Sequence, residues 1–139
     1  MKVIFDIDGT LCNIDHLLPL WETDRERFFA RLGEAKAIEP VKTLFNVTYE
    51  YFGVLYTSRP EKTRTTTAIW CQENGIYYDE LLMRADDDDR DDVESKVDML
   101  QKAGLTPEKV LFIVEDRTKV VVKLRELGYT VLQCADGNY

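Results

Sequence analysis

Asp6 and Asp8 stand two residues apart, directly after the apolar stretch Val3-Ile4-Phe5, and Gly9 follows them. Two carboxylates so placed can divide one reaction between them. The first can attack phosphorus and form an acyl phosphate, which water then hydrolyses. The second can give a proton to the leaving oxygen and later take one from water. Gly9 permits the tight turn that gathers both side chains and the backbone amides.

Three further segments carry groups that suit this chemistry. Thr57-Ser58-Arg59 follows the apolar run Gly53-Val54-Leu55-Tyr56, and Glu115-Asp116 follows Val110–Val114. Lys96 lies near the start of a helical pattern. A lysine there would neutralise a bound phosphate and the nucleophile, while a threonine hydroxyl and backbone N–H groups could hold phosphate oxygens. Carboxylates gathered at one place repel each other unless a cation sits among them. Oxygen ligands with few competing nitrogens favour Mg²⁺.

These groups share one site only if short strands deliver them to one edge. The sequence supports that arrangement. Val3–Phe5 reads as a buried strand ending at Asp6. A helix is expected from about Asp24, as its cap, to Leu32. A second should start near Glu39, with Pro40 in its first turn and Val41, Leu44, Phe45 and Thr48 along one side. The strand 53–56 ends at Thr57, and a helix runs from about Pro60 to Asn74, stopped by Gly75. Leu81-Leu82-Met83 reads as a third strand. The acidic run from Asp86 to Asp92 reads as a solvated loop, with Asp91 or Asp92 capping a helix that carries Val93, Val97, Leu100 and Gly104. A short turn at Thr106-Pro107-Glu108 precedes the strand 110–114. A helix from about Arg117 to Leu127 turns Val120, Val121, Leu124 and Leu127 inward, and Thr130–Gln133 is the last strand. Strands alternating with amphipathic helices give an α/β fold: a doubly wound parallel sheet covered on both faces. In such sheets ligands bind beyond the carboxyl ends of the strands, where Asp6, Asp8, Thr57, Glu115 and Asp116 fall.

The constellation Asp6-Ile7-Asp8-Gly9-Thr10-Leu11, Thr57, Lys96 and Glu115-Asp116, in that order, resembles the haloacid dehalogenase superfamily. The resemblance implies a Rossmann-like fold with a minimal cap and assigns roles. Asp6 would be nucleophile and metal ligand. Asp8 would be general acid/base and would offer its backbone carbonyl to the metal. Thr57 would bind phosphate, Lys96 would steady the phosphate and Asp6, and Asp116 with Glu115 would complete the Mg²⁺ site. An aspartate at position 8 resembles the family's phosphatases rather than its dehalogenases or ion pumps.

The second half is similar to the 3′-phosphatase domain of bacteriophage polynucleotide kinase. The matching residues are Trp70, Arg90-Asp91-Asp92-Val93, residues 115–121 and the ending Gly137-Asn138-Tyr139. Thr57-Ser58-Arg59 is similar to that family's Ser-Gly-Arg, which implies Ser58 and Arg59 as further phosphate ligands. Three departures accompany the likeness. Leu17 occupies the place where that family has an arginine, Glu115 stands in place of an aspartate, and no Gly-x-x-x-x-Gly-Lys-Ser/Thr run marks a kinase domain.

Bland roles compete at several positions. Thr57 or Ser58 could cap the helix near Pro60, and Glu115-Asp116 the helix near Arg117. Lys96 could be a solvated helix lysine and Arg59 a surface ion pair. His16 reads as a surface or structural histidine. Trp21, Phe28 and Phe29 read as packing rather than a base platform, and Tyr139 as a frayed terminus.

The chain has 139 residues, 45% of them apolar, and a net charge of −8, which suits one folded domain with a helical insert at about 13–50. An insert of that size leaves the site open to a polymer end. No apolar run is long enough for a membrane, nothing addresses the chain for export, and Cys12, Cys71 and Cys134 suit a reducing compartment, so a cytoplasmic location is expected. The acidic charge and the lack of a basic stripe imply few contacts to a nucleic-acid backbone. No obligate protein partner is evident. The expected activity is Mg²⁺-dependent hydrolysis of a phosphomonoester, on a nucleic-acid 3′ end or a nucleotide. Free 5′-nucleotides or other small phosphomonoesters are the alternative substrates. A phospho-accepting receiver would place its acidic pair after the first strand, and an inactive binding module would commonly lose the nucleophile.

Overall fold

The computed structural model describes residues 1–139. In chain order its elements are β1 (Lys2–Asp6), β2 (Cys12–Asn13), α1 (Leu18–Thr23), α2 (Arg25–Arg31), β3 (Lys36–Ala37), α3 (Glu39–Val47), β4 (Phe52–Pro60), α4 (Arg64–Glu73), β5 (Glu80–Arg84), α5 (Asp92–Lys102), β6 (Val110–Arg117), α6 (Thr118–Glu126) and β7 (Val131–Gly137). Five strands form one parallel sheet in the order β5-β4-β1-β6-β7. β1 is central. The chain winds from it to one edge, then crosses back to the other, so the end of β1 lies at the point where the winding reverses.

Alternation along β1 explains the two cores. Val3 and Phe5 point into one apolar cluster, with Ile7, Leu55 and Trp70, while Ile4 points into the other, with Val54, Leu100, Ile113 and Leu124. All of these side chains are fully or nearly fully buried. The first cluster also takes in Leu17, Phe28 and Leu32 from the segment between β1 and β4. The Trp70 indole donates to the Ala35 carbonyl at 2.8 Å, which fastens that segment to α4.

Several local expectations hold and others need correction. Asp24 caps α2 by accepting from the Arg27 N–H, and Asp91 caps α5 by accepting from Glu94 N–H. Helix α1 was not expected; Pro19 stands in its first turn. Leu44 and Leu127 are exposed, because Phe45 and Leu124 already fill the inward faces of their helices. Helix α4 begins at Arg64 with no side-chain cap, after a 3₁₀ turn at Glu61–Thr63. Thr57 and Ser58 therefore do not cap it. Likewise no side chain caps α6. β4 and β6 run past the expected ends at Thr57 and Val114. Each has a register irregularity there, between Thr57 and Pro60 and between Glu115 and Arg117. Such bulges re-aim side chains without ending the strand. No helix is long and apolar enough to cross a membrane.

Candidate active site

The three adjacent strands β4, β1 and β6 deliver Thr57-Ser58-Arg59, Asp6 and Glu115 to one cleft, and α5 adds Lys96. Asp8 lines it too, and Asp116 joins the group through its carboxylate, which lies close to those of Asp6 and Glu115. Lys96 is buried, not solvated. Its Nζ donates to Asp6 Oδ1 at 2.9 Å and to Glu115 Oε2 at 2.8 Å. Burial works against its charge, yet Asp6 and Glu115 hold it above the ordinary lysine range.

Glu115 is saturated with donors. Tyr56 donates to Oε2 at 2.6 Å, and the backbone N–H groups of Asp116 and Arg117 donate to Oε1 at 3.1 Å each. Burial would raise Glu115, but Lys96 and these hydrogen bonds outweigh it and hold the group below its usual value. Asp6 is the opposite case. Burial first, then the Glu115 charge, push it well above the usual carboxylate range, against the pull of Lys96. Asp116 is pushed up to about 6 by burial and then by Glu115.

Asp6, Glu115 and Asp116 each offer an oxygen within 4.8 Å of the others. One lysine does not balance three carboxylates at that spacing. The Thr10 hydroxyl lies between them, 3.2 Å from Asp6 Oδ2 and 3.3 Å from Asp116 Oδ1. The Asp8 backbone carbonyl borders the same cluster, since it and Asp116 Oδ2 both lie within reach of the Tyr139 hydroxyl, at 3.4 and 2.7 Å. An all-oxygen donor set with unbalanced negative charge fits a hard cation such as Mg²⁺.

Gly9 is needed twice over. Its φ is +84°, and a Cβ there would stand 2.1 Å from Asp116 Oδ2. Gly137 backs the same region: a Cβ there would meet the Asp116 carbonyl oxygen at 2.5 Å.

Arg59 is not a surface ion pair. It is buried, and its guanidinium holds the Asp8 carboxylate through Nη2–Oδ1 at 2.6 Å and Nε–Oδ2 at 2.9 Å. Its remaining nitrogen donates to Thr67 at 3.1 Å. Each guanidinium nitrogen is thus already engaged within the protein. Thr57 Oγ1 accepts from the Arg59 N–H at 3.1 Å, which leaves its own hydrogen free to donate. The Ser58 hydroxyl is buried in the cleft wall and faces Asp92 without reaching hydrogen-bonding geometry.

Three residues that read as bland in the sequence contribute here. Tyr139 is partly buried rather than frayed, and its backbone carbonyl accepts from Arg117 Nε at 2.6 Å. Burial, then Asp116, push its hydroxyl up, so it serves as a donor. No sequence signal announces this contact, because it depends on how β7 ends beside β6. Trp21 and Phe29, expected only to pack, also line the cleft. They do pack: Trp21, Phe28 and Phe29 meet edge to face at 5.2–6.1 Å. His16 lies outside the cleft and is exposed.

The family model described as the polynucleotide kinase PNKP phosphatase domain matches residues 1–139. Among solved structures, a chain of a Pnkp1/Rnl/Hen1 complex superposes with a TM-score of 0.85 at 27% identity. The match covers 99% of this chain and 47% of that one. A chain of the Pnkp1/Rnl/Hen1 RNA repair complex gives the same TM-score and identity, with 99% and 43% covered. This chain therefore spans less than half the length of those relatives. A haloacid dehalogenase-like hydrolase from Streptococcus pneumoniae matches with a TM-score of 0.63 at 17% identity, over 95% of this chain and 83% of that one, which bears on the fold alone. No curated protein matches the sequence.

Proposed function

We propose, since the chain belongs to the polynucleotide kinase PNKP phosphatase domain family of haloacid dehalogenase-type hydrolases, that it removes a phosphate from the 3′ oxygen of a nucleic-acid end or nucleotide through an aspartyl-phosphate on Asp6. The observation that carries the chemistry is that Asp6 and Asp8 share one cleft with different partners. Lys96 faces Asp6 and Arg59 clasps Asp8. Two carboxylates in distinct surroundings suit two roles.

In this reading Asp6 attacks phosphorus in line, and the bond from phosphorus to the ribose oxygen breaks. Asp8 gives its proton to that oxygen. In the second half Asp8 takes a proton from water, water attacks the phosphorus of the acyl phosphate, and inorganic phosphate and Asp6 are released. Thr57, Ser58 and Lys96 bind the phosphate oxygens. Arg59 acts through Asp8, fixing its orientation, instead of binding the phosphate as the resemblance implied. Asp6, Asp116 and the Asp8 carbonyl would hold Mg²⁺, and Glu115, already saturated, would orient Lys96 and the β6 backbone. When bound, the ion neutralises charge on the transferring phosphoryl group. Residues 1–139 form one unit in this reading, with residues 13–50 as its small cap.

The 3′-end preference is supported by the family match and by the likeness to a chain of an RNA repair complex. The test compares kcat/KM on matched 3′- and 5′-phosphorylated thymidine and on a 3′-phosphorylated oligonucleotide, with Mg²⁺ and with EDTA. A clear preference for the 3′ esters and loss of activity in EDTA are expected. Preference for the 5′ ester or for a sugar phosphate rejects the substrate reading. Full activity after thorough chelation rejects the metal reading.

A further inference from the structure

Trp21 stands where the catalytic cleft opens onto a second depression. The cleft and the depression share Trp21, Phe29 and Ser58 as a common wall. That depression is also lined by three cations from three separate segments: Arg25 of α2, Lys62 after β4, and Arg84 at the end of β5. Such a cluster is unexpected in a chain of net charge −8, and sequence spacing hides it because the three lie far apart along the chain.

Neither Arg25 nor Lys62 has a carboxylate partner. Arg25 Nε donates to the Trp21 carbonyl at 3.0 Å, and its guanidinium lies over the Trp21 ring, 4.1 Å from the centroid. That contact holds the cation at the cleft's lip. Arg84 is partly engaged: Nη2 donates to the Arg90 carbonyl and Nη1 forms an ion pair with Asp92 at 3.7 Å, while its buried Nε has no hydrogen-bond partner. Buried arginine nitrogens are rarely left unpaired. Two carboxylates also face the depression, one of them paired with a cation outside it. Asp86 accepts from the Lys62 N–H at 2.8 Å, and Asp88 is held by Arg90 and Ser95. The local balance therefore favours an anion.

We propose that this depression is a subsite for the phosphodiester on the 5′ side of the terminal nucleotide, with Arg25, Lys62 and Arg84 facing the phosphate and the terminal base set against Trp21. The proposal rests on the 3′-end reading above and deepens it. A nucleotide bridges the two depressions naturally: its 3′ phosphate sits at Asp6, its base meets the aromatic wall between them, and its 5′ phosphate emerges beyond that wall. Stacking on an aromatic side chain is tolerant of base identity, so the subsite selects a polymer end over a lone nucleotide without reading sequence.

The test measures kcat/KM for thymidine 3′-monophosphate and for thymidylyl-thymidine 3′-phosphate, which adds one flanking diester. The wild-type ratio of dinucleotide to mononucleotide should be about tenfold or more, one diester contact being of that order. The ratio should fall toward one in the Arg25→Ala/Lys62→Ala double variant and shrink in Trp21→Ala. Arg25 and Lys62 are exposed, so their loss leaves the core intact, and circular dichroism confirms the fold. A wild-type ratio near one, alongside a preserved preference for 3′ over 5′ esters, overturns the subsite alone. A ratio unchanged by the double variant does the same. Absence of any 3′ preference overturns both readings.

Discussion

The guanidinium of Arg59 grips the carboxylate of Asp8 through two parallel hydrogen bonds, at 2.6 and 2.9 Å, although the two residues are separated by 51 positions in the chain. That fork fixes the Asp8 carboxylate in one orientation beside Asp6, as a single ammonium could not. Arg59→Lys should therefore lower kcat on a nucleoside 3′-phosphate by roughly ten- to a hundredfold, part of the range that general acid/base catalysis supplies. The loss in the first-turnover burst should be much smaller on p-nitrophenyl phosphate, whose leaving group needs no proton. Equal losses in the first turnover on both substrates would assign Arg59 to phosphate binding.

The two acids of the first motif should separate in the same comparison. Asp6→Asn should abolish turnover on every ester. Asp8→Asn should cost roughly 10²–10⁴ in steady-state turnover on either ester, since hydrolysis of the acyl phosphate also uses Asp8, but it should leave the first-turnover burst of p-nitrophenol nearly intact. Both variants are read by steady-state release of phosphate and by the first-turnover burst of p-nitrophenol.

Lys96 and Glu115 form a buried pair at 2.8 Å, with side chains only 3% and 0% exposed. Lys96→Met strands the Glu115 charge and should cost about 3–5 kcal/mol of stability. In Lys96→Met/Glu115→Gln that charge is gone, and part of the loss should return. Urea unfolding of the four proteins in the cycle checks this; strictly additive losses would show that the pair is not coupled.

How much of this was legible in the sequence depends on where each residue sits. Asp6 and Asp8 could be read because a buried strand leads straight into them and the turn is local. Glu115-Asp116 could be read for the same reason, and Lys96 because α5 has clear periodicity and a cap. The ends of β4 and β6 could not, because bulges let both strands continue past their apolar runs. The target of Arg59 is set by that β4 irregularity. Tyr139 and the cluster of Arg25, Lys62 and Arg84 depend on segments meeting in three dimensions, which no local pattern encodes.

Asp116 gives a pH signature. Burial and then Glu115 push it up to about 6 in the metal-free protein, above its unfolded value. A carboxyl raised in this way favours the folded state most below its unfolded value, and that contribution is lost as pH rises through about 6. A bound cation relieves the ionised form. Mg²⁺ should therefore raise Tm more at about pH 8 than at about pH 5, with protons released on binding at the lower pH. Calorimetry at both values checks it. An equal Mg²⁺ shift at the two pH values would contradict the assignment of Asp116 as a ligand.

Tyr139 donates to Asp116 Oδ2 at 2.7 Å and so fixes a carboxylate assigned to the ion. Tyr139→Phe keeps the ring and removes the donor. It should raise the Mg²⁺ concentration needed for half-maximal activity by up to about tenfold, the low end for loss of such a supporting contact, while activity at saturating Mg²⁺ changes little. A lower plateau at saturating Mg²⁺ with an unaltered Mg²⁺ requirement would place Tyr139 on the substrate instead.

The central claim is that Asp6 carries the phosphoryl group. Borohydride reduces an acyl phosphate of aspartate to homoserine, so quenching the enzyme during turnover and mapping its peptides by mass spectrometry reads the site directly. Homoserine at position 6, formed only with substrate present and absent from Asp6→Asn, is the expected result. Turnover by Asp6→Asn at near-normal rate, or conversion at another aspartate with Asp6 untouched, would contradict it.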